Sequence, residues 1–218
     1  MKILDQLLIK EKKNELEVED ILDLVKTGDP TLIPGLQELK LRIAKTDTFS
    51  VLSIPFDRWI DVVCEFLEHG YAGPVEIAKK DKYLATFAIS ALEASKTREG
   101  FVSILNILNS CNLEDSVGYK NAGKCISGIN LMISFDDDVK FSKEEADLAR
   151  LLVHNYLNFI MGKSFSEGEL VVAYCALRKL GNHESIQIIK KMPPLQKSHN
   201  SGIDKMVLTA IRKRIKKR

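Results

Sequence analysis

Residues 24–39, LVKTGDPTLIPGLQEL, and residues 177–192, LRKLGNHESIQIIKKM, align without gaps. In each, a stretch with helical patterning carries a lysine, Lys26 or Lys179, two positions before a glycine, Gly28 or Gly181. A residue able to cap a new helix follows, Asp29 or Asn182. Apolar positions then coincide, Ile33 with Ile186 and Leu36 with Ile189. A fainter third copy begins at Ala91-Leu92 and runs through Glu99, Phe101 and Ile104. The copies lie 68 and 85 residues apart, about two units each if one unit is a helix pair of roughly 34 to 47 residues. The spacing predicts about five stacked units.

Helical periodicity extends outward from these copies. Leu84, Phe87, Ala88, Ala91 and Leu92 fall at i, i+3, i+4, i+7 and i+8, and Leu148, Leu151, Leu152, Asn155 and Phe159 nearly repeat that pattern, as one face of an α-helix requires. Alternation with period two is nowhere sustained. The run 129–135, INLMISF, could be a strand or a helix turn by pattern alone, but an isolated strand would have no partner, so helix is expected. Pro30, Pro34, Pro55, Pro74 and Pro193-Pro194 stand where helices would start or stop, and Gly28, Gly70 and Gly181 where they would be capped. The expected fold is all-α, a single domain over residues 1–218 of stacked antiparallel helix pairs, an α-solenoid. An irregular helical bundle containing two similar hairpins is the alternative.

The sequence Ala173-Tyr174-Cys175-Ala176-Leu177-Arg178-Lys179-Leu180-Gly181-Asn182 resembles the A-x-x-L-G, Asp/Asn turn and amphipathic second helix of HEAT and PBS-lyase-type HEAT-like repeats. The unit at Gly28-Asp29-Pro30 matches in its second half, and residues 109–143 depart from the pattern. The resemblance implies a stack of helix pairs that binds proteins. Some HEAT-like proteins are DNA glycosylases that depend on aromatic side chains in a basic groove. Here the single tryptophan, Trp59, sits beside Arg58 between Asp57 and Asp61, so it is expected in the core or an interface.

With 218 residues, 45% of them hydrophobic, the chain can close a core without metal or disulfide. The start, MKILDQLLIKEKK, lacks the uninterrupted apolar region of a signal peptide, and no apolar run is long enough to span a bilayer. A cytoplasmic protein is the expectation. Cys64, Cys111, Cys125 and Cys175 are far apart in sequence and form no C-x-x-C pair, so they are expected to be reduced, buried small hydrophobes. His69, His154, His183 and His199 have no metal-ligand spacing. No cofactor and no metal are expected.

Residues 118–125, GYKNAGKC, fit the phosphate-loop spacing G-x-x-x-x-G-K-[ST] except at Cys125, where the hydroxyl that ligands magnesium is missing. No strand pattern precedes Gly118, so the expectation is a helix in which Gly123 and Gly128 allow close approach. Asp136-Asp137-Asp138 fails the EF-hand pattern, since Phe141 stands at its glycine position and Asp147 at its glutamate position. The run reads as a turn before a capping box formed by Ser142 and Glu145. No local nucleophile signature is present, so no catalytic residue is assigned, although scattered residues could still converge.

Charge is unevenly distributed. Residues 205–218 hold Lys205, Arg212, Lys213, Arg214, Lys216, Lys217 and Arg218 and no acid, leaving 25 basic against 30 acidic side chains elsewhere. Residues 1–70 contain nine basic and 14 acidic residues. Glu11, Glu15, Glu17, Glu19, Asp20 and Asp23 crowd this region, either as solvated helix-start charges or as a patch for a cationic partner. The segment 203–218 spaces Ile203, Val207, Ile211 and Ile215 four apart, which predicts a basic amphipathic helix. It could cap the stack, contact nucleic acid, or meet an acidic protein or membrane surface. The leading functional expectation is a non-catalytic protein-binding repeat protein, with an architectural resemblance to bacterial toxin-immunity proteins that cover a cationic nuclease domain. The alternative is a nucleic-acid-binding or DNA-repair protein of the HEAT-like type.

Overall fold

A computed structural model describes residues 2–45, 56–135, 140–163, 165–195 and 202–217. Pro55, Asp136, Asp137, Asp138, His199 and Arg218 lie outside these residues. Among the described residues regular structure is helical throughout, so the chain is all-α as its periodicity predicts. Contacts cluster into two compact units, Met1–Ser95 and Lys96–Arg218.

The first unit contains α1 (Lys2–Lys12), α2 (Val18–Leu22), α3 (Ile33–Lys45), α4 (Phe56–His69), α5 (Ala72–Lys80) and α6 (Ala85–Ala94). Two 3-10 turns, Asp23–Thr27 and Pro30–Leu32, join α2 to α3. Gly28 (φ 58°) and Gly70 (φ 60°) take the left-handed conformation expected of C-terminal caps. Pro34 and Pro74 fall in the first turns of α3 and α5, where a missing N–H costs no intrahelical bond. Helix α4 touches α2, α3, α5 and α6 because its Phe56, Ile60, Val63 and Leu67 form a fully apolar stripe. Ala88, Ala91 and Leu92 of α6 are fully buried, as their spacing predicts. Trp59 is half-buried, edge-on to Phe87 at 4.6 Å.

The second unit contains α7 (Arg98–Ser110), α8 (Ser116–Phe135), α9 (Lys143–Ile160), α10 (Glu167–Leu180), α11 (His183–Lys191) and α12 (Ile203–Lys216). Successive helices pack as α7 on α8, α9 on α10 and α11 on α12. Alternate helices also meet, α8 with α10 and α10 with α12 on one side, α7 with α9 and α9 with α11 on the other. Residues 129–135 form the last turns of α8, and α12 follows the terminal segment expected from its apolar spacing. Ser142 Oγ accepts from the Glu145 amide at 3.2 Å while Glu145 Oε2 accepts from the Ser142 amide at 2.6 Å, the expected capping box. The same box starts α10 at Ser166 and Glu169.

One expectation is corrected. The buried face of α9 is Ala149, Leu152, Val153, His154, Tyr156, Leu157 and Ile160, whereas Leu148 and Leu151 are 39% and 53% exposed and Asn155 faces solvent. The helix is rotated because the stripe starting at Ala149 carries six apolar residues and the stripe starting at Leu148 is broken by Asn155. Gly181 is the C-terminal cap of α10 as expected, its amide donating to the Leu177 carbonyl at 2.7 Å, with backbone φ −58°, ψ 156° rather than the left-handed conformation of Gly28 and Gly70. A Cβ there would stand 2.7 Å from Ile211 Cδ1 and from the Leu177 carbonyl oxygen. Glycine is needed at this corner so that α12 can approach α10. The caps of the two sequence copies do correspond, for Asp29 accepts from the Thr31 amide at 2.9 Å and Asn182 from the Ser185 amide at 3.0 Å.

Candidate functional site

The six acidic residues singled out near the start of the chain do not form one free patch. Glu11 is only 8% exposed and faces Arg42 of α3 at 3.4 Å. Asp20 takes the Lys10 ammonium at 2.5 Å and also accepts from the Glu17 amide at 3.0 Å, starting α2. Asp23 pairs with Lys26 at 2.6 Å. Glu15, Glu17 and Glu19 remain exposed. The Lys10 ammonium is held up above its ordinary pKa by its hydrogen bond to Asp20, with the charges of Asp20, Glu17 and Glu15 adding to the effect. Beside this cluster, α1 and the segment through α2 and the first 3-10 turn enclose a groove of about 270 Å³. Ile3, Leu7 and Leu24 supply its apolar walls and Lys10, Asp20 and Thr27 its polar edge. Ile3 is 41% exposed.

The basic residues of α12 divide by role. Val207 and Ile211 are fully buried against the unit. Arg214 turns inward, donating to the carbonyl oxygens of Arg178, at 2.9 Å, and Gly181. It therefore serves the C-terminal end of α10. Lys205, Arg212, Lys213, Lys216 and Lys217 are exposed. Lys205, Arg212 and Lys216, spaced seven and four apart, share one side of the helix.

Residues 118–125 lie within α8, so they cannot wrap a phosphate as a loop does. Gly118 instead lies against the Asn112 carbonyl, too close to admit a Cβ. Among the described residues no group of three or more His, Cys, Asp or Glu is placed to hold a metal.

One catalytic-looking arrangement emerges that no local motif announces. His154 Nε2 lies 2.7 Å from Ser185 Oγ, and His154 Nδ1 lies 3.5 Å from Glu184 Oε2. The connectivity is that of a Glu-His-Ser triad. Yet Ser185 has no exposed surface and His154 is 2% exposed. The Ser185 hydroxyl also accepts from the Asn182 amide at 2.9 Å, which leaves its oxygen committed to starting α11. Burial, only partly opposed by Glu184, lowers the imidazole pKa. The arrangement is a buried helix-cap network with no approach for a carbonyl carbon.

A second groove, about 230 Å³, opens in the second unit among Leu113, Glu114, Tyr119, Phe159 and Lys163. Its own Lys163 already lies 3.6 Å over the Phe159 ring and 3.1 Å from Glu114, so the position a ligand cation would take is filled from within.

The cysteines depart from expectation. Cys64 and Cys125 are buried, but Cys111 and Cys175 are only half-buried. The Cys111 thiol donates to the Ile107 carbonyl at 3.4 Å, at the end of α7.

No family model, curated protein or solved structure matches the chain. Among the described residues no helix is long and apolar enough to cross a membrane.

Proposed function

We propose that this chain is a non-catalytic, cytoplasmic binding protein that engages a basic protein partner through the α1–α2 groove and its carboxylates. The supporting observation is a groove with an apolar wall, on which Ile3 is 41% exposed, lined also by the carboxylates of Asp20 and Asp23 and belonging to a segment whose Glu15, Glu17 and Glu19 are exposed. A protein interface combines an apolar centre with a charged rim that steers association. A partner segment presenting an apolar side chain flanked by Lys or Arg fits this chemistry. The alternate-helix packing of the second unit is in keeping with a HEAT-like stack of helix pairs, a fold type suited to macromolecular binding. The immunity-type reading, in which the partner is a cationic toxin domain, is the specific form of this proposal.

The experiment is affinity capture with the tagged full chain and its Ile3→Asp and Glu15→Lys/Glu19→Lys variants. A basic protein retained by the wild type, released by salt and lost from both variants supports the reading. Identical captured sets from all three oppose it.

A second reading, nucleic-acid binding, is favoured by the side of α12 formed by Lys205, Arg212 and Lys216, which are exposed and have no ion pair among the described residues. Phosphates are the natural counterpart of such a row. A membrane is a poorer counterpart, because Val207 and Ile211 of the apolar side are already buried. Mobility shift of a short oligonucleotide, abolished by Lys205→Glu/Arg212→Glu/Lys216→Glu, would support this reading.

A further inference from the structure

Building on the nucleic-acid reading of α12, we propose that the exposed crest of this helix binds duplex nucleic acid through its phosphate backbone, without reading base sequence. At about 100° per residue, Lys205, Arg212 and Lys216 fall within about 40° of one another around the helix. Thr209, also exposed, occupies the gap between Lys205 and Arg212. Val207 and Arg214 stand nearly opposite this row. There Val207 is buried and Arg214 donates to the carbonyl oxygens of Arg178 and Gly181. The inner side of α12 is thus fixed by packing and hydrogen bonds, and the outer cations take no part in holding it. Lys213 and Lys217 are exposed on one flank of the row and broaden it.

Charge density and side-chain type select the ligand. From Lys205 to Lys217 the helix rises about 18 Å. Lys205, Arg212, Lys213, Lys216 and Lys217 are all exposed within that length, and none has an ion pair among the described residues. The one carboxylate of α12, Asp204, stands about 100° round the helix from Lys205. Helix α11, which packs on α12, ends in exposed Lys190 and Lys191. A duplex presents one phosphate charge per about 1.7 Å of its axis, against about 3.4 Å for one strand, so it offers such a row the denser array of partners. Proteins that hold single strands add aromatic side chains on which bases stack, and α11 and α12 contain no Phe, Tyr or Trp. Base edges are read by bidentate Arg, Asn or Gln groups, of which the crest has only Arg212. Lysine ammoniums meet phosphate oxygens as point charges, and such contacts position a duplex without carrying sequence information.

The test is fluorescence anisotropy of the full chain with two labelled duplexes of equal length and unrelated sequence and with one of their single strands. Co-sedimentation with phosphatidylcholine–phosphatidylserine vesicles completes it. The two duplexes should bind equally, and about ten-fold or more tighter than the strand. The logarithm of the association constant should fall against that of salt concentration with a slope of about −3 to −4, at roughly −0.9 per phosphate engaged. Lys205→Gln/Arg212→Gln/Lys216→Gln should flatten this slope by about 2.7 and weaken duplex binding about ten-fold or more. Lys12→Gln/Lys13→Gln/Lys45→Gln, which removes as much charge from exposed positions of the first unit, should leave both unchanged. Absence of binding to duplex and strand alike overturns the nucleic-acid reading together with this proposal. A strand bound as tightly as the duplex, or a preference for one duplex sequence, overturns only the assignment to the duplex backbone. Equal losses in the two triple variants would remove the crest as the site, and vesicles bound more tightly than duplex would assign it to a membrane surface instead.

Discussion

The imidazole of His154, from α9, lies within 2.7 Å of the hydroxyl of Ser185 at the start of α11, and neither side chain has appreciable contact with water. Burial favours the uncharged ring, and the opposing pull of Glu184 is weaker because that carboxylate is mostly solvated. The folded imidazole therefore titrates below its ordinary value of 6.5. Above that value neither folded nor unfolded chain protonates His154 and the stability is full. As pH falls from 6.5 through the lowered folded value, the unfolded chain binds a proton that the folded chain refuses, and stability is lost. The thermal midpoint should fall across this window, and His154→Leu should flatten the slope there whatever its effect on the midpoint itself.

Gly181→Ala should destabilise the second unit by about 1–3 kcal/mol, the usual cost of forcing extra volume into a packed seam. The new methyl would press on Ile211 and on the Leu177 carbonyl oxygen. Chemical denaturation measures the loss. Pairing the substitution with Ile211→Val should restore part of it, since the shorter side chain lacks the Cδ1 atom in the way.

Ile211→Asp should cost more, roughly 3 kcal/mol or above, because it places a carboxylate where Ile211 has no exposure. Arg214→Ala should cost about 1–3 kcal/mol through two lost charged hydrogen bonds. Arg212→Ala, two positions away and exposed, should change stability by no more than about 0.5 kcal/mol. Equal losses at 212 and 214 would contradict the division of roles within α12.

Glu15→Lys/Glu19→Lys should leave the thermal midpoint within about a degree or two, since exposed charges contribute little to stability. Asp20→Lys should lower it further, because Asp20 both holds Lys10 and accepts from the Glu17 amide. If the groove meets a basic partner, the double variant slows association and flattens its salt dependence, as stopped-flow mixing at two ionic strengths would register.

Helix positions were largely legible because apolar spacing and capping chemistry are local. The Ser142–Glu145 box and the apolar row of α12 could be read directly, and the Ser166–Glu169 box carries the same S-x-x-E signature. What failed was tertiary. Which of two overlapping stripes on α9 turns inward depends on its neighbours, and Leu148 with Leu151 formed a plausible but exposed alternative. Gly181 could be read as the cap of α10, but its close approach to Ile211, 30 positions later, could not. The acidic cluster was legible as composition, but the pairings of Glu11 with Arg42 and Asp20 with Lys10 join different helices and required the fold.

The last turn of α10 is held from two directions. Arg150 of α9 donates to the Leu180 carbonyl at 3.3 Å, and Arg214 of α12 donates to those of Arg178 and Gly181. Three consecutive-turn acceptors are thus shared between helices that lie on either side of α10 in the chain. Lifting α12 away would strip two of them of their donor at once and reopen the crowded glycine corner. Small independent fraying of α12 is disfavoured by this arrangement. Amide deuteration of α12 and of the end of α10 should accordingly proceed as one cooperative event with a common opening rate, rather than as a gradient running inward from Lys216.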